Sequence, residues 1–292
     1  MIADTLRRLF AWCVQTEGSS RSSALIRIFL VLIIWTRWGS EVLLFRSLSS
    51  PAHLILSLSY FASTTLMLLG VFSRASTLWA GLTTLSMYYY FGLELGREPW
   101  THHHAYLLAF ATLLCAFTPC GRSYSLDRWW ALCRAQKAGL PPPREWGNLW
   151  GLRLIALQLS MVYLYSAYNK TTAAYLTGER MEGYLLRYYL GSDLPRWPGF
   201  HELMAVMGSG TVVLEYALAV GLLFASTRRW LVIPGLLLHG SFYVLLPILT
   251  FSATMVLLYL AYFDANTIHA VIDRLGGTLP QSAYREDRLP RN

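Results

Sequence analysis

The chain has 292 residues, of which 55% are hydrophobic and 14% charged, and its mean hydropathy is +0.40. This composition excludes a single soluble core of that size, because the excess apolar surface requires lipid. The formal net charge is +8. In a membrane protein an excess of basic residues sets the orientation across the bilayer, and nothing here indicates a nucleic-acid partner. We therefore expect the lipid bilayer as a partner of this chain.

Residues 1–20 are typical of an amphipathic helix that lies on the membrane surface. The apolar positions recur at helical spacing, and they are Leu6, Leu9, Phe10, Cys13 and Val14. Arg7 and Arg8 face the opposite side, as expected at a headgroup interface. The stretch holds no apolar run of the length found in signal peptides, so we expect a cytoplasmic interfacial helix.

Residues 21–270 are expected to form an all-α, polytopic bundle of about eight transmembrane helices. About 20 helical residues cross the hydrocarbon core. The apolar runs lack the two-residue alternation of a barrel strand, so they should be helices. The predicted spans are Ala24–Phe45, His53–Phe72, Leu78–Leu95, His104–Thr118, Gly151–Asn169, Leu203–Phe224, Trp230–Ile248 and Phe251–Ile268. A basic tail, residues 271–292, follows.

Basic residues distinguish the two sides of this predicted bundle. With eight spans the termini and the even-numbered loops hold 15 lysines and arginines, whereas the odd-numbered loops hold 6. Because cytoplasmic loops carry the excess of basic residues, both termini are predicted to be cytoplasmic. The loop after the fifth span, residues 170–202, would then face outward. Its tyrosine and tryptophan content favours a cap over the mouth of the bundle.

The chain contains only two lysines against 22 arginines, so the positions of the lysines are informative. Lys170 closes the fifth span after a polar stripe that includes Ser166, one turn earlier on the same face. Burial at such a place disfavours the ammonium, so the lysine could act as a neutral base, whereas an arginine stays charged. The alternative is a lysine that extends from a helix end to the lipid headgroups.

Glu215 and His239 each lie midway along an apolar run, in the sixth and seventh spans. Ionisable groups at bilayer depth face the bundle interior and usually have partners. We therefore expect a Glu215–His239 pair between neighbouring helices. The alternative is a purely structural polar pair that fixes helix packing.

The two arginines of the first span, Arg27 and Arg37, are expected to have different partners. Arg37 and Glu41 lie one turn apart, which predicts an internal ion pair. Arg27 is expected to reach a lipid phosphate.

Three adjacent histidines, His102, His103 and His104, open the fourth span on the same side as Lys170. Adjacent residues point in different directions around a helix, whereas ligands on one face are spaced by three or four, so no metal site is predicted. One of the three could instead orient a substrate or relay a proton, because histidine titrates near neutral pH.

Four segments of the chain share their order with the motifs of one enzyme family. They are Trp100–Asp127, with His104-Ala105-Tyr106-Leu107 and Ser125-Leu126-Asp127; Tyr165-Ser166-Ala167-Tyr168-Asn169-Lys170, followed by Tyr175 and Gly178; Glu215; and His239 with Phe251-Ser252 and Met255. In this order they resemble the vitamin K-dependent gamma-glutamyl carboxylases and their bacterial relatives, the horizontally transferred transmembrane domain proteins. The resemblance spans residues 20–270.

The resemblance implies an enzyme of a bacterial inner membrane that acts on a quinol. In the carboxylases a lysine deprotonates reduced vitamin K. Oxygen then converts the quinol to an epoxide, which generates a strong base that removes a γ-proton from a glutamate side chain, and carbon dioxide adds. A dry site inside a bundle would protect such a base from water. The implied cofactor is reduced vitamin K or a menaquinol-type naphthoquinol, with oxygen and carbon dioxide.

The same resemblance implies roles for individual residues. Lys170 would be the base, and Glu215 would orient His239. His104 and His239 would hydrogen-bond the quinol or stabilise developing negative charge. The residues implied in holding the quinol are His104, Tyr168, Tyr175 and His239.

The chain also departs from the family. The animal enzymes carry a large lumenal domain that docks the substrate, and here the chain ends soon after its last predicted span. Asn169 and Tyr175 stand where the family often has lysine and tryptophan. Carboxylation of a peptide or protein substrate is thus less firmly implied than quinol oxidation. A non-enzymatic maturation or immunity protein that binds a peptide is the alternative, and a transporter is disfavoured because no inverted repeat is visible.

Overall fold

A computed structural model of the chain describes residues 7, 10, 14, 16–44, 50–191, 198–246 and 249–276. The protein is 80% helical, as expected for an all-α membrane protein. It divides into two compact units, the first formed by Met1–Arg153 with Phe263–Asn292 and the second by Leu154–Tyr262.

The elements follow one another as helices joined by short turns, with one small two-stranded ribbon. In chain order they are β1 (Glu17–Ser19), α1 (Arg21–Ile34), a π-helical turn (Trp35–Gly39), α2 (Ser40–Leu44), α3 (Pro51–Leu69), α4 (Ser73–Met87), a second π-helical turn (Tyr88–Glu94), α5 (Glu98–Thr101), α6 (His103–Cys115), α7 (Leu126–Lys137), β2 (Trp146–Asn148), α8 (Trp150–Lys170), α9 (Ala173–Leu176), α10 (Glu179–Leu185), a third π-helical turn (Leu186–Leu190), α11 (Phe200–Gly221), α12 (Ala225–Leu245), α13 (Leu249–Leu258), a 3₁₀ turn (Tyr259–Ala261) and α14 (Ala265–Leu275). The strands pair antiparallel, with Gly18 opposite Gly147.

Within the described residues, three helical stretches are long and apolar enough to cross a membrane, and they are Arg21–Leu43, Pro51–Leu69 and Phe200–Gly221. A fourth would follow if Leu249–Ala261 and Ala265–Leu275, which meet at 102°, formed one broken span. The protein is therefore a helical membrane protein. Helices occupy all eight predicted stretches, but α6 has only 13 residues. The eighth predicted span, Phe251–Ile268, is wrong as a continuous helix because the chain bends between Ala261 and Ala265.

The two ends of the chain fall largely outside the described residues. Most of the predicted surface helix at residues 1–20 lies there, and so do residues 277–292 of the predicted tail. Within the described part, Glu17–Ser19 is a strand, which corrects the helical prediction for those residues. Backbone pairing with β2 accounts for this difference.

Arg27 of α1 is fully buried in the first unit, which contradicts its predicted contact with lipid phosphate. Its guanidinium donates hydrogen bonds to the carbonyls of Met67 and Leu68 at the end of α3 and of Tyr124 in the loop before α7. The last carbonyls of a helix lack intrahelical partners. Arg27 therefore joins the end of α3 to the α6–α7 loop.

Candidate functional site

Helix α8 presents three polar side chains, Tyr163, Ser166 and Lys170, on one face. The spacing of three and four residues places them one above another along the helix. The helix is continuous for 21 residues because it contains neither glycine nor proline after Gly151. This face of α8 carries the candidate site in the second unit.

Lys170 and Glu215 form a largely buried ion pair. The Nζ atom of Lys170 lies 2.5 Å from Oε1 of Glu215 in α11 and donates to Oγ of Ser166 at 2.9 Å. The Ser166 hydroxyl in turn donates to the same carboxylate oxygen at 3.1 Å. The exposed fractions of the lysine and glutamate side chains are 18% and 3%. Each charge therefore offsets part of the desolvation penalty of the other.

A cavity of about 290 Å³ opens directly beside this pair. Its polar lining consists of Lys170, Tyr175, Tyr184, Thr211 and Ser241. Its apolar lining consists of Met181, Met207, Phe242, Leu246 and Phe251. The Nζ atom of Lys170 lies 5.2 Å from the ring centroid of Phe242, which is within range of a cation–π interaction. A few polar groups in an aromatic and methionine-rich wall are typical of a site for a flat apolar molecule.

The Tyr175 side of the cavity depends on two glycines. Gly178 follows α9 with φ +87°, a conformation that favours glycine. Gly208 of α11 lies against the Tyr175 carbonyl, and a Cβ at that position would overlap the carbonyl oxygen. The Tyr175 hydroxyl lies 3.3 Å from that of Tyr184. Burial raises the pKa of Tyr175, and the Tyr184 contact raises it further, so the phenol stays neutral and can donate a hydrogen bond.

His239 lies directly behind the cavity wall and is 1% exposed. Its ring centroid lies 6.0 Å from that of Phe242 and 5.8 Å from that of Phe251. The Tyr163 hydroxyl lies 2.6 Å from both Nε2 of His239 and the hydroxyl of Tyr259. Within the described residues Nδ1 of His239 has no hydrogen-bond partner.

The predicted Glu215–His239 pair is wrong. Glu215 bonds to Lys170 and Ser166, and its second oxygen, Oε2, is buried without a partner in the described part of the chain. The physical reason is charge, because a buried carboxylate gains more from an ammonium than from a neutral imidazole. Nε2 of His239 instead forms a hydrogen bond with the Tyr163 hydroxyl.

His104 belongs to the first unit, where its Nε2 accepts a hydrogen bond from Nε of Arg37 at 3.3 Å. Its ring stacks on that of His102 with the centroids 5.2 Å apart. Arg37 also pairs with Glu41 at 2.9 Å, which confirms the predicted ion pair. Tyr168, implied as a quinol contact, is 69% exposed and does not line the cavity.

Several residues of the site are not singled out by sequence reasoning. Tyr259, Phe242 and Met207 lie on three different elements, and Met181 and Tyr184 lie together on α10. No spacing in the sequence relates any of them to Lys170. Tyr163 is the exception, because it lies two turns before Lys170 on the same helical face. That periodicity alone could have identified Tyr163 as part of the site.

Comparison with known proteins identifies one family. The family model described as the HTTM domain matches residues 38–266. No curated protein and no solved structure matches this chain. The matched range contains Lys170, Glu215, His239 and His104.

Proposed function

This chain belongs to the HTTM domain family, and from that premise we propose that it is a membrane enzyme that oxidises a reduced naphthoquinone to its epoxide. The family is associated with vitamin K-dependent carboxylase-like proteins. The observation that carries the proposal is the buried Lys170–Glu215 pair at the wall of an aromatic cavity. Coupling to γ-carboxylation of a glutamate in a peptide or protein is a second part of the proposal.

The cavity residues fit the ring system of a naphthoquinol of the vitamin K or menaquinol type. A volume of about 290 Å³ is near the lower end of small-molecule sites, which suits a two-ring headgroup whose tail remains outside. Phe242 and Phe251 offer flat apolar surfaces, and Tyr175 and Ser241 offer hydroxyls for the ring oxygens. When bound, the quinol supplies the electrons for oxygen and, on epoxidation, the strong base that carboxylation requires.

Lys170 and Glu215 would act together as the proton acceptor. Their charges balance when the lysine is protonated and the glutamate ionised, and moving one proton along the 2.5 Å contact gives a neutral amine and a carboxylic acid. A neutral amine can accept a proton from a quinol hydroxyl. The pair then holds one additional proton and a net charge of +1 beside the newly formed anion. The lysine thus becomes basic by donating to Glu215, rather than by isolation in a dry pocket.

His239 and Tyr163 would hold the aromatic wall of the cavity, Phe242 and Phe251, in place. The hydrogen bond to Tyr163 would fix the imidazole behind Phe242 and Phe251, and its buried Nδ1 has no hydrogen-bond partner among the described residues. Tyr175, a neutral phenol, would donate a hydrogen bond to the anionic oxygen left by deprotonation.

Epoxide formation tests the proposal. Purified protein in detergent, supplied with chemically reduced vitamin K and oxygen, should produce the epoxide detected by liquid chromatography. Lys170→Ala and Lys170→Arg should both lower the initial rate by at least about a hundredfold, because arginine retains the charge but cannot serve as the base. Lys137→Ala, which removes the other lysine, on α7, is the matched control and should leave the rate unchanged.

Two results would overturn the proposal. One is a folded wild-type protein that forms no epoxide, and the other is an unchanged rate in Lys170→Ala. Incorporation of labelled carbon dioxide into a glutamate-containing peptide, measured in parallel, separates carboxylation from quinol oxidation.

We also propose that the chain crosses the bacterial inner membrane eight times with both termini in the cytoplasm. Helical segments in the eight predicted stretches, the eighth of them bent between Ala261 and Ala265, and the 15-to-6 distribution of basic residues support this arrangement. Alkaline phosphatase fused after Arg187 should be active, and the same fusion after Lys137 should be inactive. The reverse pattern would contradict the orientation.

A further inference from the structure

A second cavity, of about 750 Å³, lies within the first unit and is distinct from the quinol site proposed in the second unit. The turn between α3 and α4, the loop before α7, α7 itself and the segment before β2 all contribute to it. Its charged lining residues are Arg74, Arg122, Asp127, Arg128 and Arg144. The cavity therefore has four positive charges against one negative charge, and we call it the arginine cavity.

Three of the four guanidinium groups, those of Arg74, Arg122 and Arg128, are held by backbone carbonyls. Arg74 donates from Nε to the carbonyl of Thr118 at 3.1 Å, and Arg122 and Arg128 donate to the carbonyls of Trp146 and Pro143. Each guanidinium has five N–H donors in a fixed fork. Each of these contacts uses one donor, so the arginines are held in place with donors remaining for an oxyanion.

The two nearby carboxylates, Asp127 and Glu145, already have several partners. Asp127 accepts hydrogen bonds from the backbone N–H groups of Phe72 and Ser73 at 2.9 and 2.7 Å, and from the Ser73 hydroxyl at 2.7 Å. Glu145 pairs with Arg21 at 2.8 Å and lies 3.7 Å from Nε of Arg128. That Nε–H is buried, and the described residues give it no hydrogen-bond partner. The positive charge of the cavity is therefore only partly neutralised.

The arginine cavity adjoins the end of a helix that is long and apolar enough to cross a membrane. Phe72 and Ser73 follow the end of α3, one of the helices long and apolar enough to cross a membrane. The adjoining helix α7 exposes Trp129 and Trp130, and tryptophan is enriched at membrane–water interfaces. A fork of arginine donors matches the geometry of phosphate oxygens.

We propose that the arginine cavity binds a phosphate group, supplied by an anionic phospholipid headgroup or by a soluble phosphate ester. The two sources share the chemistry that the guanidinium groups recognise. The adjoining end of α3 and the neighbouring exposed tryptophans favour a lipid headgroup as the source. A diester carrying a net negative charge should bind better than a zwitterionic headgroup, because the cavity has an excess of positive charge.

Native mass spectrometry of the full-length protein in detergent tests this proposal. The three probes are dioleoylphosphatidylglycerol, dioleoylphosphatidylcholine and sn-glycerol 3-phosphate. We expect the anionic lipid to bind more tightly than the zwitterionic one. Arg74→Gln and Arg128→Gln should each weaken binding by about fivefold, the typical contribution of one basic residue. Arg134→Gln, on the exposed part of the same helix α7 as Arg128, is the matched control.

Ala131→Glu provides a second variant that leaves every arginine in place. Ala131 lines the cavity, so a carboxylate there should repel the same ligands, and thermal unfolding should verify that each variant remains folded. Tighter binding of glycerol phosphate than of either lipid, with the same arginine dependence, would support the proposal and identify a soluble source. Equal binding of the anionic lipid to wild type, Ala131→Glu and the two arginine variants, with no glycerol phosphate binding, would overturn it.

Discussion

The Nζ atom of Lys170 lies 2.5 Å from Oε1 of Glu215, although 45 residues separate them in the chain and each lies on a different long helix. Ser166 contacts both groups, so three side chains from α8 and α11 form one hydrogen-bonded unit. The proton chemistry proposed for the protein depends on this unit rather than on Lys170 alone.

The first prediction concerns the stability of this pair. Glu215→Leu leaves an ammonium without its counter-charge, and Lys170→Met leaves a carboxyl that is 3% exposed. Removing one partner of a buried pair typically costs about 3–5 kcal/mol, whereas replacing both by apolar groups can be neutral. Each single variant should therefore unfold at a lower temperature in detergent than the Lys170→Met/Glu215→Leu double variant. If the double variant lost as much unfolding free energy as the two single variants lose in total, the residues would not interact.

The second prediction concerns the phenol behind the cavity wall. Tyr163→Phe removes the hydroxyl that lies 2.6 Å from both His239 Nε2 and the Tyr259 hydroxyl. Leaving buried polar groups unsatisfied costs about 1–3 kcal/mol each, so we expect a lower unfolding temperature. Because His239 also loses its orientation, the epoxidation rate should fall. Tyr165→Phe, on the same helix at a residue that is 63% exposed, is the control and should behave as wild type.

The helical membrane fold can be predicted because lipid imposes strict rules on backbone and side chains. A span must satisfy its own hydrogen bonds and must be apolar, and both properties are local in the sequence. The same reasoning identifies Lys170, Glu215 and His239 individually, since ionisable groups in apolar runs are energetically costly. Bends are less predictable, because the break between Ala261 and Ala265 depends on packing and on the capping of α14 by Asp264.

Which residues pair cannot be predicted from the sequence in the same way. Periodicity relates Ser166 to Lys170 along one helix, but it does not determine that α11 presents Glu215 to them. The sequence predicts Glu215 as the partner of His239, whereas the structure supplies the Tyr163 phenol of α8, which carries no charge to mark it as a partner. Carbonyls at the end of α3 leave no sequence motif, so the sequence predicts a lipid contact for Arg27 rather than these partners.

The third prediction concerns this buried arginine. Arg27→Met removes donors to the carbonyls of Met67, Leu68 and Tyr124 and leaves buried acceptors with fewer hydrogen bonds. We expect a loss of about 3 kcal/mol or more in unfolding free energy, with Arg27→Lys intermediate because it retains a donor. Thermal unfolding in detergent measures the effect, and Arg134→Met at an exposed position is the control. If Arg27→Met unfolded at the wild-type temperature, the hydrogen bonds that join the end of α3 to the α6–α7 loop would not contribute to stability.

The fourth prediction uses two glycines of α11 that differ only in what surrounds them. At Gly208 an added Cβ would overlap the carbonyl oxygen of Tyr175, whereas at Gly210 the described residues leave open space. Gly208→Ala should displace the segment that carries Tyr175, at a cost of about 1–3 kcal/mol, and should weaken quinol binding. Gly210→Ala should be neutral or stabilising by up to about 1 kcal/mol, because alanine is the better helix former. Thermal unfolding and the quinol concentration dependence of epoxidation together measure both effects. If the two substitutions lowered stability and quinol affinity equally, the loss would come from α11 itself, and the close contact with Tyr175 would not shape the cavity.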